Sequence, residues 1–231
     1  MNEHWQSFIE EISWFLEPGQ TAEMGTSLPP GSWSPASSEF ENLFPDAHRV
    51  LRRAIVTPVA VGGVRYQLYS WLRADRSSCS WLSPVPSPDP PRSLHPDHRV
   101  LLRSFGGIVE RGNEPSWWIL NHNDVLTERE AQYSGAYIRE YAWAFEDAGV
   151  DIPIDVEQFY TIANEANGNN TLCHRLSGAV VLHAPDHAFD HVETYPGCPE
   201  YTLYRLPEAS CFRDWVNTVS RQWRRWIEAT A

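Results

Sequence analysis

The chain has 231 residues and a formal net charge of −12, with 42% apolar residues including eleven tryptophans. That composition is too apolar for a disordered chain and is long enough to bury a substantial core. No apolar run is long enough for a membrane-spanning helix, and the acidic balance disfavours nucleic acid and anionic membrane as partners.

The opening "MNEHWQSF" has no basic leader or small-residue cleavage pattern, so a cytoplasmic protein is expected. Trp5, Phe8, Ile9, Ile12 and Phe15 or Leu16 recur at helical spacing, with Pro18 and Gly19 as a stop. A Pro/Gly/Ser loop follows, then "SEFENLFPDAHRVLRRAI", helical in parts and interrupted at Pro45. Alternation from Val64 to Trp71 predicts a strand after the turn Gly62–Gly63. Residues 83–93 hold five prolines and are expected to form an exposed loop or insertion. "HPDHRVLLRSFGGI" predicts a short helix, and "PSWWILN" a strand. Thr127 and Glu130 form a capping box that predicts one long helix to Gly149. "FYTIA", "TLCHRL", "AVVLHA" and "EYTLYRL" then read as strands of a meander. Ser210 is expected to cap a last helix that buries Phe212, Trp215, Val216, Val219 and Trp223. Helices, antiparallel strands and a closing helix make the class α+β.

Chemistry-bearing motifs are few. The four cysteines lack any C-x-x-C and read as reduced thiols. His183, His187 and His191 lie four apart in "HAPDHAFDH", beside Asp186 and Asp190. On a helix that spacing would suit zinc, but Pro185 interrupts it. On a strand the rings would stand about 13 Å apart, too far for one metal. The preferred reading is a strand that stops at Pro185, with Asp186 capping the turn. A metal-dependent hydrolase built on the three histidines is the alternative. "SRQWRRWIEA" mixes Arg221, Arg224 and Arg225 with Trp223 and Trp226, and is read as arginines over a buried tryptophan stripe. No nucleotide-binding or cofactor motif is found, and no cofactor is expected.

The order of the motifs resembles the SUKH superfamily, which includes yeast cell-wall regulators and bacterial immunity proteins against polymorphic toxins. Leu28 and Pro29 look like its "LP" step. Phe105, Gly106 and Gly107 look like its Gly-Gly turn, for which Gly62 and Gly63 are a second candidate. Ile162 and Ala163, then Gly168 and Asn169, look like its "IA...GN" strand and turn. Val180, Val181, Asp186 and His187 look like the strand leading to "DH", and Phe212 and Trp215 like the start of the closing helix. The resemblance is firmest over residues 100–226. It implies one SUKH-like domain over 1–231, with a curved, mainly antiparallel central sheet flanked by N-terminal, middle and C-terminal helices. It also implies a protein without catalysis that neutralises a toxin domain, of nuclease or deaminase class, by binding it.

Charge agrees with a basic protein partner. Residues 140–200 hold eleven acids against Arg175 alone, so this quarter of the chain carries −10. Asp147, Asp151, Asp155, Glu157, Glu165, Asp186, Asp190 and Glu193 are the candidate contact residues, because a field of one sign steers association. A regulatory scaffold binding a host protein would share the same surface.

Overall fold

A computed structural model describes residues 2–115, 123–165, 168–186 and 192–229. The α+β expectation meets two antiparallel sheets rather than one curved central sheet. The first has the order β1 (Ala22–Met24), β2 (Ile55–Val61), β3 (Val64–Leu72), β4 (Ser78–Pro84), β5 (Glu110–Gly112). The second contains β6 (Asn123–Val125), β7 (Phe159–Asn164), β8 (Asn170–His174), β9 (Val180–His183), β10 (Glu193–Thr194) and β11 (Leu203–Arg205). Its spatial order is β10-β11-β9-β8-β7-β6. The edge strands β5 and β6 approach each other, and an isolated bridge pairs Ile108 with Val125. The division follows from the core: each sheet turns one face to a shared interior and buries the other under its own cover.

In the first sheet, Gly62 and Gly63 take φ of 58° and 82° and close the β2–β3 hairpin as a two-residue turn. Both positions need positive φ, which glycine adopts without steric cost. The outer face carries Val59, Val61, Leu68 and Leu82 and is covered by α1 (Glu3–Glu11) through Trp5, Phe8 and Ile12. The inner face carries Val56, Tyr69, Trp71, Cys79 and Trp81. Against it pack α2 (Ser38–Leu43), α3 (Pro45–Arg52), α4 (Pro96–Ser104) and α6 (Phe212–Glu228). Strand β7 sends Tyr160 and Ile162 into that same interior, and β9 sends Val180 and Leu182. The opposite face of the second sheet carries Phe159, Leu172, Val181 and Leu203 and is covered by residues 135–158.

Several expectations need correction. Thr127 Oγ1 accepts the Glu130 N–H at 3.1 Å, as a capping box requires, yet no long helix follows. Instead there are 3₁₀ turns at Glu130–Gln132 and Gly135–Tyr141 and a short α5 (Ala142–Glu146). The reason is tertiary. Thr161 N–H donates to Tyr133 O at 3.0 Å and Ser134 bridges Tyr160, so β7 recruits this backbone and interrupts the helix. The last helix starts after Cys211, whose side chain makes no cap bond, and Ser210 O accepts instead from Val180 N–H. The proline-rich stretch 83–93 is only partly exposed. Ser83 and Pro84 belong to β4, Pro90 is buried, and Ser87 N–H donates to Leu102 O at 2.9 Å. The strand expected at "PSWWILN" lies, apart from Pro115, outside the described residues.

Gly106 sits where α4 gives way to the segment leading into β5. A Cβ there would lie 2.1 Å from Pro84 O, a backbone atom that cannot swing aside. Gly106→Ala is therefore expected to lower the unfolding free energy by about 1–3 kcal/mol or more in urea titration. A neutral result would show that this close approach is not maintained in solution.

A candidate partner-binding face over a buried polar row

The cover of the second sheet is built by alternating inward and outward side chains. Ile138, Phe145 and Val156 point in and are buried against Phe159, Leu172, Val181 and Leu203. Glu140, Trp143, Glu146, Asp147, Asp151, Asp155 and Glu157 are exposed, Trp143 at 61%. The loop is held by local bonds: Gly149 takes φ 71° after α5, and Asp155 Oδ1 accepts the Glu157 N–H at 3.3 Å. Glu157 is paired with Arg139. Asp147, Asp151 and Asp155 have no ion pair among the described residues.

The other expected contact residues are placed differently. Glu193, on β10, is exposed and paired with Arg205 at 3.3 Å. Asp186 is exposed just after β9, and its N–H donates to Asn169 Oδ1 at 3.4 Å. Glu165 is 4% exposed and accepts from Asn169 Nδ2 at 2.6 Å, so it cannot meet a partner and is withdrawn from the contact set. Asp190, His187 and His191 lie outside the described residues. Trp143 was not singled out by the sequence, although helical spacing alone sets it opposite Phe145, about 200° away.

The family-motif residues occupy structural positions. Leu28 bridges Val56, and Pro29 is exposed beside it. Gly106 and Gly107 follow α4, Gly107 with φ 86°. Ile162 is fully buried in β7, and Gly168 (φ 92°) and Asn169 form the turn into β8. Phe212 and Trp215 are buried in the first turn of α6. Gly62 and Gly63, closing a hairpin, do not follow a helix.

Beneath the cover runs a row of polar side chains on an otherwise apolar sheet face. Asn164, Asn170 and His183 are successive cross-strand partners on β7, β8 and β9, so they share that face. His183 is fully buried, 3.2 Å from the Tyr137 hydroxyl through Nδ1, with the Tyr137 and Tyr141 rings edge-on at 5.3 and 4.9 Å. Asn170 lies close enough to Tyr137, and Asn164 to Glu130, to act on their titration. Burial pushes the His183 imidazole down to about 4, so it is neutral at neutral pH. Burial, then the nearby Asp124, raises the Glu130 carboxyl to about 7 against the pull of Asn164 and Arg129.

This answers the histidine question for His183. It pins the cover to the sheet and stands between two tyrosine rings. Among the described residues no three His, Cys, Asp or Glu side chains are grouped to hold a metal ion. All four cysteines are unpaired thiols, and burial raises Cys79 and Cys173 to about 12, which keeps them protonated and poorly nucleophilic. No helix among the described residues is long and apolar enough to cross a membrane. Comparison of the chain with protein-family models, curated proteins and solved structures finds no match.

Proposed function

We propose that this chain is a non-enzymatic, SUKH-type binding module that neutralises a basic toxin domain, of nuclease or deaminase class, through the cover of its second sheet. The observation that carries the reading is residues 140–157. They hold six acids and no base, and only Glu157 has an arginine partner among the described residues. The exposed Trp143 stands among them. Unpaired carboxylates steer a basic surface into encounter, while a large aromatic supplies the desolvated anchor that usually dominates binding energy.

The test is calorimetric titration with a basic nuclease or deaminase toxin domain at about 50 and 300 mM salt. One-to-one binding is expected to weaken with salt. The triple change Asp147→Asn, Asp151→Asn, Asp155→Asn should cost about tenfold in affinity and flatten the salt dependence. Trp143→Ala should cost about tenfold or more at either salt. Affinity that ignores both changes would remove this face as the interface. A host regulatory protein captured on the same face would keep the surface and change the partner class.

A further inference from the structure

The "SRQWRRWIEA" motif plays no part in the face above, and its rings are already committed. Trp223 is fully buried, and Trp226 donates to Asn113 O at 2.7 Å while Arg73 stacks 3.8 Å over its ring. Stacking on nucleic-acid bases is therefore not available to them. The arginines are another matter. Helices α3 and α6 lie side by side and run in the same direction. Asp46, in the first turn of α3, is reached by Asn217 and Arg221, and Arg53, just past its end, meets Glu228 at 2.5 Å. This registers the "HRVLRR" of α3 with the "RQWRR" of α6, and Arg49, Arg52, Arg53 and Arg224 line one cleft of about 560 Å³.

Four guanidinium groups there face two carboxylates, Glu41 and Glu228, in a protein whose net charge is −12. Two of the four have a structural occupation. Arg53 pairs with Glu228, and Arg49 pairs with Asp46 at 3.2 Å, contacts that also suit the negative C-terminal end of a helix. Arg52 does not, and Arg224 has only a long ion pair with Asp46. Among the described residues the Arg52 side chain makes no hydrogen bond or ion pair. Arg224 Nε is buried without a hydrogen-bond partner, and its Nη1 is 3.8 Å from Asp46. His48 also lines the cleft, its ring fixed by Glu41 at 3.4 Å and by the Trp33 ring.

We infer that this cleft is a binding site for a phosphate-bearing small molecule of mononucleotide size, held by the unspent donors of Arg52 and Arg224. The planar fork of a guanidinium matches phosphate oxygens in pairs, and the volume falls within the range of small-ligand sites. The acidic remainder of the chain opposes a long polyanion while leaving a compact one unaffected at short range. The inference is independent of the partner-binding face, which lies on other elements.

The experiment is calorimetry on the whole chain at low salt with three probes: inorganic pyrophosphate, AMP and a single-stranded oligonucleotide. Saturable one-to-one binding is expected for pyrophosphate or AMP, weakened about tenfold in each of Arg52→Gln and Arg224→Gln, as loss of a charge-assisted pair requires. Arg103→Gln, an exposed change on α4, should leave it intact, and circular dichroism melts establish that the variants fold. Pyrophosphate binding without gain from the nucleoside of AMP assigns the site to the phosphate group alone, within the same chemistry. No saturable binding of either small probe, or binding indifferent to both cleft arginines, overturns the assignment. An oligonucleotide that binds more tightly per molecule than AMP overturns it in favour of a nucleic-acid surface.

Discussion

Replacing Trp223 by alanine is expected to lower the unfolding free energy by about 3–5 kcal/mol, the range for truncating a buried large aromatic. Trp223 is fully buried, with ring centroids 5.7 Å from Trp71 and 5.0 Å from Trp81. Trp81 and Tyr69 in turn contact Phe105 at 5.8 and 5.4 Å. One side chain of α6 thus joins the helix to β3, β4 and the end of α4. Its Nε1 has no hydrogen-bond partner among the described residues. Trp223→Phe should therefore cost clearly less, since it leaves part of the ring in place and deletes an unsatisfied buried donor. Urea titration followed by circular dichroism separates the two. A loss below about 1 kcal/mol for the alanine variant would mean that α6 does not dock as described.

The second large effect concerns pH. Glu130 is 4% exposed, and its carboxyl is raised from 4.5 to about 7, first by burial and then by Asp124. A carboxyl raised in the folded state binds its proton more tightly there than in the unfolded chain. Its contribution is then fully present below about pH 4.5 and is lost as pH rises through about 7. At about 1.4 kcal/mol per pH unit the loss amounts to about 3 kcal/mol. Glu130→Gln keeps the shape and polar end of the side chain and does not titrate. It should match the wild type near pH 4.5 and exceed it by about 1–3 kcal/mol at pH 8. His98 and His183 act in the opposite sense: burial lowers both to about 4, so stability they leave intact above pH 6.5 is lost as pH falls toward 4. Only the difference between wild type and variant isolates Glu130. Parallel stability–pH curves for the two would show that the carboxyl titrates normally.

What the sequence disclosed was set by periodicity. The stripe Phe212, Trp215, Val216, Val219, Trp223 repeats at helical spacing over one buried face, so α6 was legible, as was α1 from Trp5, Phe8 and Ile12. Strand β4 was not, because "SCSWLSP" is buried on both faces and its short Ser/apolar alternation breaks at Leu82. Strand β2 was masked by Pro58, which is tolerated because it sits where the regular β1 pairing ends and only its carbonyl is used, accepting from Gly25 N–H at 2.9 Å. The segment 127–149 carries sound helix signals that long-range pairing to β7 overrides. Charge counting found the acidic region but is blind to burial and pairing, which remove Glu165 and discount Glu157 and Glu193. The pooled arginines of α3 and α6 depend on parallel packing of helices about 170 residues apart, which no local pattern encodes.

The place of α6 in the core shared by the two sheets bears on how the chain is made. During synthesis, β2 to β4 and then β7 to β11 are made before the helix that packs into that core. Until residues 212–228 emerge, the inner faces bearing Trp71, Trp81, Tyr160 and Leu182 have no α6 to cover them. The inner faces of both sheets are therefore finished by the segment that is made last, and the core closes only when that helix docks.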